Sequence, residues 1–388
     1  MLLFATRFVR LFAYGSLSVI LVFYLTGLGL TDQQVGLLLT LTLAGDTVVS
    51  LFLTTQADRI GRRRMLIAGA LLMSAAGLAF AFTRNFLFLV IAGTIGVISP
   101  SGNEVGPFLP IEQAALSQVI SAAERTRVFA WYTLTGTLAT ALGALAAGLA
   151  TETLPKSAVI IAYAGFGLLL ALLFLRLSPD AEAHGPREQS RLGVGASRGV
   201  VLRLAALFSL DAFGGGFVVQ SFAAYWFYLR FGVSPAALGG IFFGANVFAG
   251  FSALAATRLA ARFGLVKTMV FTHLPSNILL ILVPLMPNLG LAIVMLLLRF
   301  SISQMDVPTR QSYTMAIVRP EERSAAAGVL GVARTTGAAI APVFAGIMFA
   351  HPAWINVPFF VAGTLKIAYD IAVYRAFVHL PPPEERRV

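Results

Sequence analysis

Apolar segments of roughly twenty residues, the length of an α-helix that spans the hydrocarbon core of a bilayer, recur along the whole chain. Strands of a membrane barrel would be shorter and would alternate in polarity, and that pattern is not seen. With 58% hydrophobic and 12% charged residues, the chain also lies outside the composition of soluble domains. The sequence therefore predicts an all-α integral membrane protein.

Twelve segments are predicted to cross the membrane, in two groups of six. They are 8–28, 33–57, 65–83, 86–108, 126–150, 157–177, 200–229, 235–257, 266–286, 288–307, 324–349 and 353–377. A polar stretch with prolines, glycines and both charge signs separates the groups and reads as a linker. We expect an N-terminal six-helix lobe at 1–177, a cytoplasmic linker at 178–199 and a C-terminal six-helix lobe at 200–388.

The basic residues predict the orientation in the membrane. Most of the 28 Lys and Arg residues fall in loops and helix ends on one side of the predicted spans. The exceptions lie on the opposite side or within a span: Arg84, Lys156, Arg230, Arg299, Arg334 and Lys366. Because Lys and Arg accumulate on the cytoplasmic side, both termini are predicted to be cytoplasmic. The net charge of +11 then reflects topology rather than nucleic-acid binding. We expect a multi-pass protein of a bacterial-type inner (plasma) membrane.

Two sets of residues repeat between the halves of the chain. Arg59-Ile60-Gly61 recurs as Arg262-Phe263-Gly264, at an offset of 203 residues. The second set, at an offset of 198, consists of Pro110, Gln113, Glu124 and Arg125, which recur as Pro308, Gln311, Glu322 and Arg323. Similar offsets in matching loops predict a duplicated six-helix unit.

The segment Asp58-Arg59-Ile60-Gly61-Arg62-Arg63, between spans two and three, resembles the loop motif of the major facilitator superfamily. That motif is Gly-x-x-x-Asp-Arg-x-Gly-Arg-Arg, and Thr54 stands here at its first glycine position. The resemblance covers the whole chain, including the two lobes, the linker and the degenerate copy of the loop. It implies a secondary transporter that works by alternating access around a cavity lined mainly by spans 1, 4, 7 and 10.

The same resemblance gives the loop a gating role. Asp58 is expected to face the positive N-terminus of span eleven, and Gly61 to permit a tight turn. Arg59, Arg62 and Arg63 are expected to pair with acids at neighbouring cytoplasmic ends and to hold that side closed. The candidate acids are Glu104, Glu112 and Glu124. The alternative is that these arginines only set the topology.

Ionisable residues at membrane depth are candidates for function because they are costly there unless paired or hydrated. Asp46 in span two and Arg334 in span eleven lie at similar depth, and the family fold places these helices opposite each other. An ion pair between them is therefore predicted. Protonation of Asp46 would release Arg334, which is a route to proton coupling, whereas a permanent structural pair is the alternative.

A substrate or proton site is predicted in the cavity. Asp211 in span seven precedes three glycines that favour a bend, and Arg299 in span ten lies at similar depth. Gln220 and Tyr14 are further candidates for the cavity wall. For Asp211 and Arg299 the alternative is a pair that locks two helices together; for Tyr14 it is ordinary packing.

Two further acids and one broken segment are assigned to the cytoplasmic gate. Glu104 and Asp306 occupy similar places near the inner ends of spans four and ten. The segment Ser99–Pro107 is polar and helix-breaking, so it is predicted to line the cavity or gate, because non-helical backbone at membrane depth needs protein or water beside it.

The remaining charged residues at membrane depth are assigned structural roles. Lys366 and Asp370, four residues apart on span twelve, are predicted to pair with each other. His273 is predicted to be a hydrogen-bonded packing residue rather than a proton relay.

These residues favour a monomeric, proton-coupled transporter of a small organic solute, with no cofactor and no metal. Export is preferred to uptake, because intramembrane acids suit antiport. An enzyme is disfavoured, since the chain has four scattered histidines, no cysteine and no G-x-S-x-G. Drug efflux is disfavoured because the Gly-Pro-x-x-Gly-Gly element usual in span five of drug–proton antiporters is absent. A lipid flippase, a non-transporting receptor and a proton symporter for uptake stay open.

Overall fold

A computed structural model describes residues 1–119, 125–178, 197–319 and 322–380, and in these residues the chain is helical without strands. Its fifteen α-helices are α1 Leu2–Gly27, α2 Asp32–Ile60, α3 Arg62–Phe82, α4 Phe86–Ile95, α5 Phe108–Val119, α6 Arg125–Ala150, α7 Lys156–Phe174, α8 Arg198–Gly216, α9 Gln220–Phe231, α10 Pro235–Phe263, α11 Leu265–Leu282, α12 Leu289–Ser303, α13 Asp306–Ile317, α14 Arg323–Phe349 and α15 Val357–Phe377. Eleven helical stretches in this part of the chain are long and apolar enough to cross a membrane. The predicted all-helical membrane fold is confirmed.

The predicted fourth span, 86–108, is not one helix. Helix α4 ends at Ile95 and α5 begins at Phe108, so the predicted break over Ser99–Pro107 is confirmed. Gly102 and Gly106 adopt φ of 70° and 79°, in the left-handed region that glycine favours. Side chains supply hydrogen bonds to backbone carbonyls that have no helical partner in this break. The hydroxyl of Tyr14 donates to the carbonyl oxygen of Val105 at 3.2 Å, and that of Tyr163 donates to the carbonyl oxygen of Val97 at 2.7 Å. Non-helical backbone is thereby tolerated at this depth.

Span seven, 200–229, is interrupted where three glycines favour a bend, and span ten, 288–307, is interrupted as well. Helix α8 ends at Gly216 and α9 starts at Gln220, just after the three glycines. Helix α12 ends at Ser303, and α13 continues from Asp306 to Ile317. Pro308 does not stop α13, because it lies in the first turn, where its missing N–H is not needed.

The helix bounds repeat the offsets seen in the sequence. Helices α2 and α10 both have 29 residues, and their first residues, Asp32 and Pro235, are 203 positions apart. Helices α5 and α13 both have 12 residues and start 198 positions apart, at Phe108 and Asp306. This regularity supports the duplicated six-helix design.

The chain divides into two compact units. The first unit comprises Met1–Pro186, Val219–Asn246 and Pro342–His351; the second comprises Arg187–Val218, Val247–Ala341 and Pro352–Val388. In the first unit α1 packs against α6, α7 and α9 and is buried along most of its length. In the second unit α8, α11, α13, α14 and α15 contribute apolar side chains to one core, among them Phe208, Met269 and Tyr369. The lobe and linker boundaries given above stay a prediction.

Close backbone packing in the first unit depends on glycine. A Cβ on Gly143 of α6 would lie 2.0 Å from the carbonyl oxygen of Phe12 on α1, and one on Gly45 of α2 would lie 1.9 Å from that of Thr94 on α4. Side chains cannot occupy such distances, so the helices would have to separate. Small residues therefore set how closely these helices approach, as is common in membrane bundles.

We expect Gly143→Ala to destabilise the protein by about 1–3 kcal/mol, the range for overpacking a well-packed core. Gly165→Ala on α7 is the matched control, because nothing lies within 4 Å of the added Cβ there. That control should be neutral or slightly stabilising, since alanine is the better helix former. Thermal unfolding of both variants in one detergent measures the difference, and equal melting temperatures would contradict the packing argument.

Candidate functional site

A buried arginine–glutamate pair joins α1 to α5 in the first unit. The guanidinium of Arg10 holds Glu112 in a fork, with Nη1–Oε1 at 3.0 Å and Nη2–Oε2 at 2.7 Å. Both side chains are 0% exposed. Hydroxyls of Thr6 and Tyr132 also donate to the Glu112 carboxylate. The polar groups of this pair are thus well satisfied, which a buried ion pair requires if it is to be stable.

Glu104, in the break of span four, is bound to the same helix. Its carboxylate accepts from Nη1 of Arg7 at 2.5 Å and from Nε of Arg10 at 3.1 Å. The Arg7 guanidinium also lies 4.2 Å from the centre of the Tyr132 ring on α6. We call this group the first cluster; its members are Arg7, Arg10, Glu104, Glu112 and Tyr132. Its two positive charges balance its two negative charges, and its contacts link α1 to the broken span and to α6.

A second cluster lies in the second unit and centres on Asp211 of α8. Its carboxylate accepts from Nζ of Lys366 on α15 at 2.6 Å and from Nη1 of Arg310 on α13 at 3.3 Å. The same Arg310 Nη1 donates to Asp306 at 2.9 Å. All four side chains are almost fully buried. Three helices of the unit are thereby linked through one carboxylate.

His273 of α11 completes this second cluster between two acids. Its Nδ1 lies 2.8 Å from Oδ1 of Asp370, and its Nε2 lies 3.8 Å from Oδ1 of Asp211. Asn277, one turn along α11, donates to the other Asp370 oxygen at 2.9 Å. The second cluster is defined as Asp211, His273, Asp306, Arg310, Lys366 and Asp370. The imidazole of His273 is thus held beside carboxylates that come from α15 and α8.

One structural assignment from the sequence is corrected here. Lys366 does not pair with Asp370, although they are four residues apart; it reaches Asp211 on α8, and Asp370 bonds to α11. His273 is buried and hydrogen-bonded, as predicted, and the acids beside it, Asp370 and Asp211, come from other helices. Helical spacing indicates which residues share a face, but tertiary packing decided which partner each one meets.

The two clusters are related by the repeat, with reversed charge. Glu112 and Arg310 are each the fifth residue of their twelve-residue helices, 198 positions apart. Each meets an opposite charge on the first helix of its half: Glu112 meets Arg10 of α1, and Arg310 meets Asp211 of α8. The duplicated position thus keeps an ion pair to the same kind of helix while acid and base are exchanged.

Asp46 is satisfied within the first unit by the break of span four. Its Oδ1 accepts from the backbone N–H of Gly106 at 2.7 Å and from the hydroxyl of Ser50 at 3.2 Å. In the described part of this unit it forms no ion pair. The predicted pair of Asp46 with Arg334 stays a prediction.

Tyr14 and Gln220, predicted for the cavity wall, lie in the first unit. Tyr14 is fully buried and bound to Val105. Gln220 begins α9; its Nε2 donates to the Ser18 hydroxyl at 2.8 Å, and its Oε1 accepts from Asn246 at 3.2 Å. Both side chains therefore have protein partners, and their role at the cavity stays a prediction.

Arg299 does not form the ion pair with Asp211 that its depth suggested. Asp211 pairs instead with Lys366 and Arg310, which come from α15 and α13. Arg299 is half-buried on α12 and lies within electrostatic reach of Asp211 and Asp306. Its membership of a substrate site, like that of Asp211, stays a prediction.

The turn of the arginine-rich loop is confirmed, and its gating role stays a prediction. Gly61 has a φ of 116° between α2 and α3, and Gly264 at the repeat position has 85°. The side chains of Asp58 and Arg59 and all of Glu124 lie outside the described residues. Arg62 is buried, and Arg63 is partly exposed.

The carboxylates of Glu104 and Glu112, two of the acids expected to pair with the loop arginines, are held by Arg7 and Arg10. The pairing of the loop arginines themselves stays a prediction. Glu104 lies in the break of span four, and Asp306 is the first residue after the break of span ten. Their proposed part in the gate stays a prediction.

Sequence reasoning missed Arg7, Arg10 and Arg310, because each was counted among the residues that set topology. A signal was present for the first two, since they are three residues apart and so share a face of an otherwise apolar helix. The opposite charges at the repeat-related positions 112 and 310 were a second signal.

Comparison with known proteins identifies the family. The family model described as Major Facilitator Superfamily matches residues 3–305 and 214–388. An uncharacterised membrane protein of Saccharomyces cerevisiae, YJR124C, is 30% identical over 97% of this chain and 93% of its own length. The quinolone resistance protein NorA of Staphylococcus aureus is 26% identical over 33% of this chain and 32% of its own. The crystal structure of the nucleoside transporter NupG superposes with a TM-score of 0.76 at 14% identity, covering 97% of this chain and 98% of that one.

Proposed function

The chain belongs to the major facilitator superfamily and is a secondary transporter, and we propose that it moves a small organic solute in exchange for protons. Export is the preferred direction. The observation that carries the proton coupling is the second cluster, in which His273 is held between Asp211 and Asp370. Three titratable groups in contact at this depth offer a place where a proton is taken up and released.

The neighbours of Asp211 explain how a proton would change the helices around it. Lys366 and Arg310 depend on the negative charge of Asp211 for their pairing. When Asp211 is neutralised, two buried cations lose a partner, and the arrangement that pairs them is no longer favoured. A proton arriving through His273 therefore alters the contacts of α8, α13 and α15 together, which is the kind of two-state change that alternating access needs.

Support for export comes from two sides. Intramembrane acids suit exchange of a solute against protons. The partial similarity to NorA, which is a quinolone resistance protein, agrees with outward movement of a solute. The missing element in span five argues against assigning quinolones or other drugs as the cargo.

The remaining features of the proposal follow from the same picture. We place the protein in the plasma membrane as a monomer with both termini cytoplasmic, since the basic loops then lie inside. The loop from Asp58 to Arg63, with Glu104 and Asp306, would gate the cytoplasmic side. Asp46 with Arg334 would form a second proton-sensitive contact, and protonation of Asp46 would release Arg334 for other partners.

The transport proposal is tested with a ligand found by a thermal-shift screen, because binding to the folded state raises apparent stability. Purified protein is then reconstituted in liposomes with that ligand in radiolabelled form. An imposed pH gradient should drive accumulation on the side opposite to proton flow for export, and an ionophore that collapses the gradient should stop it. Transport at the same rate with and without the pH gradient would overturn proton coupling. Accumulation on the side toward which protons flow would indicate uptake by symport.

His273→Gln is expected to stop gradient-driven accumulation while leaving exchange of labelled for unlabelled ligand across the membrane, since exchange needs no net proton movement. His351→Gln is the matched control, because His351 is exposed and its Nδ1 lies 3.0 Å from the carbonyl oxygen of Ile347, at the end of its own helix. It should transport as the unmodified protein does. Unchanged gradient-driven transport in His273→Gln would remove this residue from the coupling scheme.

A further inference from the structure

We propose that the transported solute is an organic anion, a carboxylate or phosphate, and that Arg299 and Arg334 of the second unit bind it. The inference rests on the proposed transport function and adds the class of its substrate. It depends on the balance of charge in the second unit, on an unsatisfied donor of Arg299 and on open space beside Arg334.

Cations outnumber acids among the buried and half-buried charges around the second cluster. The acids are Asp211, Asp306 and Asp370; the cations are Arg299, Arg310, Arg334 and Lys366. Arg310 and Lys366 are paired with Asp211 and Asp306, and Asp370 bonds to His273 and Asn277. No described acid of this unit is within ion-pair distance of Arg299 or Arg334. An anion would supply the missing negative charge.

Arg299 carries a donor that the described protein leaves unused. Its Nε is buried and has no hydrogen-bond partner among the described residues. As the eleventh residue of α12 it lies about 15 Å from the start of that helix, near the middle of a hydrocarbon core about 30 Å thick. An unpaired guanidinium N–H at this depth is costly, and buried polar groups without partners are rare in native proteins. A bound anion that accepts from Nε would remove that cost.

Arg334 lies at a comparable depth, with space beside it. It is the twelfth residue of α14, about 17 Å from the start of that helix. One turn earlier, no described atom outside the helix's own backbone lies within 4 Å of where a Cβ on Gly331 would be, and the same holds at Gly328. Thr335, the next residue, is exposed. The half-buried Arg334 therefore adjoins an open face lined by two glycines and a hydroxyl, where a solute fits against the helix backbone.

Arginine suits carboxylates and phosphates better than other solutes. Its planar fork donates two parallel hydrogen bonds to two oxygens of one anionic group, and its charge persists at any physiological pH. Both arginines also lie within electrostatic reach of Asp211 and Asp306. A bound anion would therefore interact electrostatically with the second cluster, in which the proton is proposed to bind. A cationic solute would meet repulsion from the two guanidiniums, and a neutral one would leave their charge uncompensated.

The test pairs each anion with a neutral relative of similar shape. Thermal-shift binding to the purified full-length protein is measured for a panel of organic carboxylates and phosphates, such as benzoate, succinate and glucose 6-phosphate. Their counterparts are benzamide, succinamide and glucose, with benzylamine as a cation and inorganic phosphate as an anion without an organic part. We expect stabilisation by organic anions that their counterparts do not give. Stabilisation only by neutral or cationic compounds, only by inorganic phosphate, or by no anion of the panel would overturn the proposal.

Substitutions then locate the site. Arg299→Gln and Arg334→Gln should each weaken binding of the best anion about ten- to a hundredfold, the range for losing a hydrogen bond to a charged group. Arg299→Lys and Arg334→Lys should retain part of the affinity, because they keep the charge without the fork. Arg230→Gln, at the exposed end of α9, is the matched control and should bind normally. Full anion affinity in either Gln variant would overturn the assignment of that arginine.

This test separates the inference from the transport proposal. Arginine-dependent anion binding without a response to a pH gradient would contradict proton coupling and leave the anion site standing. Proton-driven transport of a neutral or cationic solute, unaffected by both Gln variants, would uphold the transport proposal and overturn the anion site.

Discussion

Asp211→Asn is expected to abolish transport driven by a pH gradient and to lower the free energy of unfolding by about 3–5 kcal/mol, the cost of leaving a buried charge without its partner. Lys366 and Arg310 would both lose the carboxylate that they contact at 2.6 and 3.3 Å. Arg310 would keep Asp306, so the larger loss falls on Lys366. Transport in liposomes and unfolding in a single detergent measure the two effects separately.

A charge-balanced double variant distinguishes coupling from stability. Asp211→Asn combined with Lys366→Met removes one charge of each sign, so most of the lost stability should return. Gradient-driven transport should not return, because the titratable carboxylate is still missing. Recovery of transport in the double variant would show that Asp211 acts only as a counter-ion, and an unchanged single variant would contradict the ion pairs themselves.

Glu112→Leu is expected to destabilise the protein by about 3–5 kcal/mol, because Arg10 is fully buried and would keep only Glu104. Tyr132 and Thr6 would also lose the acceptor to which their hydroxyls donate. Adding Arg10→Met should recover part of this loss, so the cost of the double variant should be smaller than the sum of the single ones. Unfolding in SDS of the two single variants and the double variant gives the coupling energy of the pair.

The matched control for Glu112 is Glu152→Gln, which alters an exposed acid after α6. Surface charges contribute little to stability, so it should unfold as the unmodified protein does. Additive single-variant effects at Arg10 and Glu112 would contradict a direct interaction between them.

The positions of the spans were predictable because hydropathy is local. About twenty consecutive apolar residues suffice to predict a membrane helix without knowledge of its neighbours. The break over Ser99–Pro107 was predictable for the same reason, since proline, glycine and polar residues act on their own backbone. The interruptions after Gly216 and after Ser303 are harder to bound from sequence, because the helix resumes within a few residues and the segment stays long enough to be one span.

The partners of the charged residues were not predictable from spacing. Lys366 and Asp370 satisfy the four-residue rule of an isolated helix, yet a lysine side chain is long enough to reach Asp211 on a neighbouring helix instead. His273 has no acid nearby in sequence, and both of its carboxylates come from other helices. Arg299 and Asp211 lie at similar depth in the membrane. Depth alone does not say which side of its helix each side chain is on, so it does not predict that the two meet.

The sequence by itself determined the membrane class and the family and predicted most of the helices and the duplication, because each of these depends on local composition or on motifs repeated along the chain. Only the tertiary structure decided that Arg10 meets Glu112, that Asp211 meets Lys366 and Arg310, and that Arg299 has no acid partner in the described part of its unit. An ion pair depends on which helix faces are brought together and on how much water they exclude. Those properties belong to the packed helices and to no single segment.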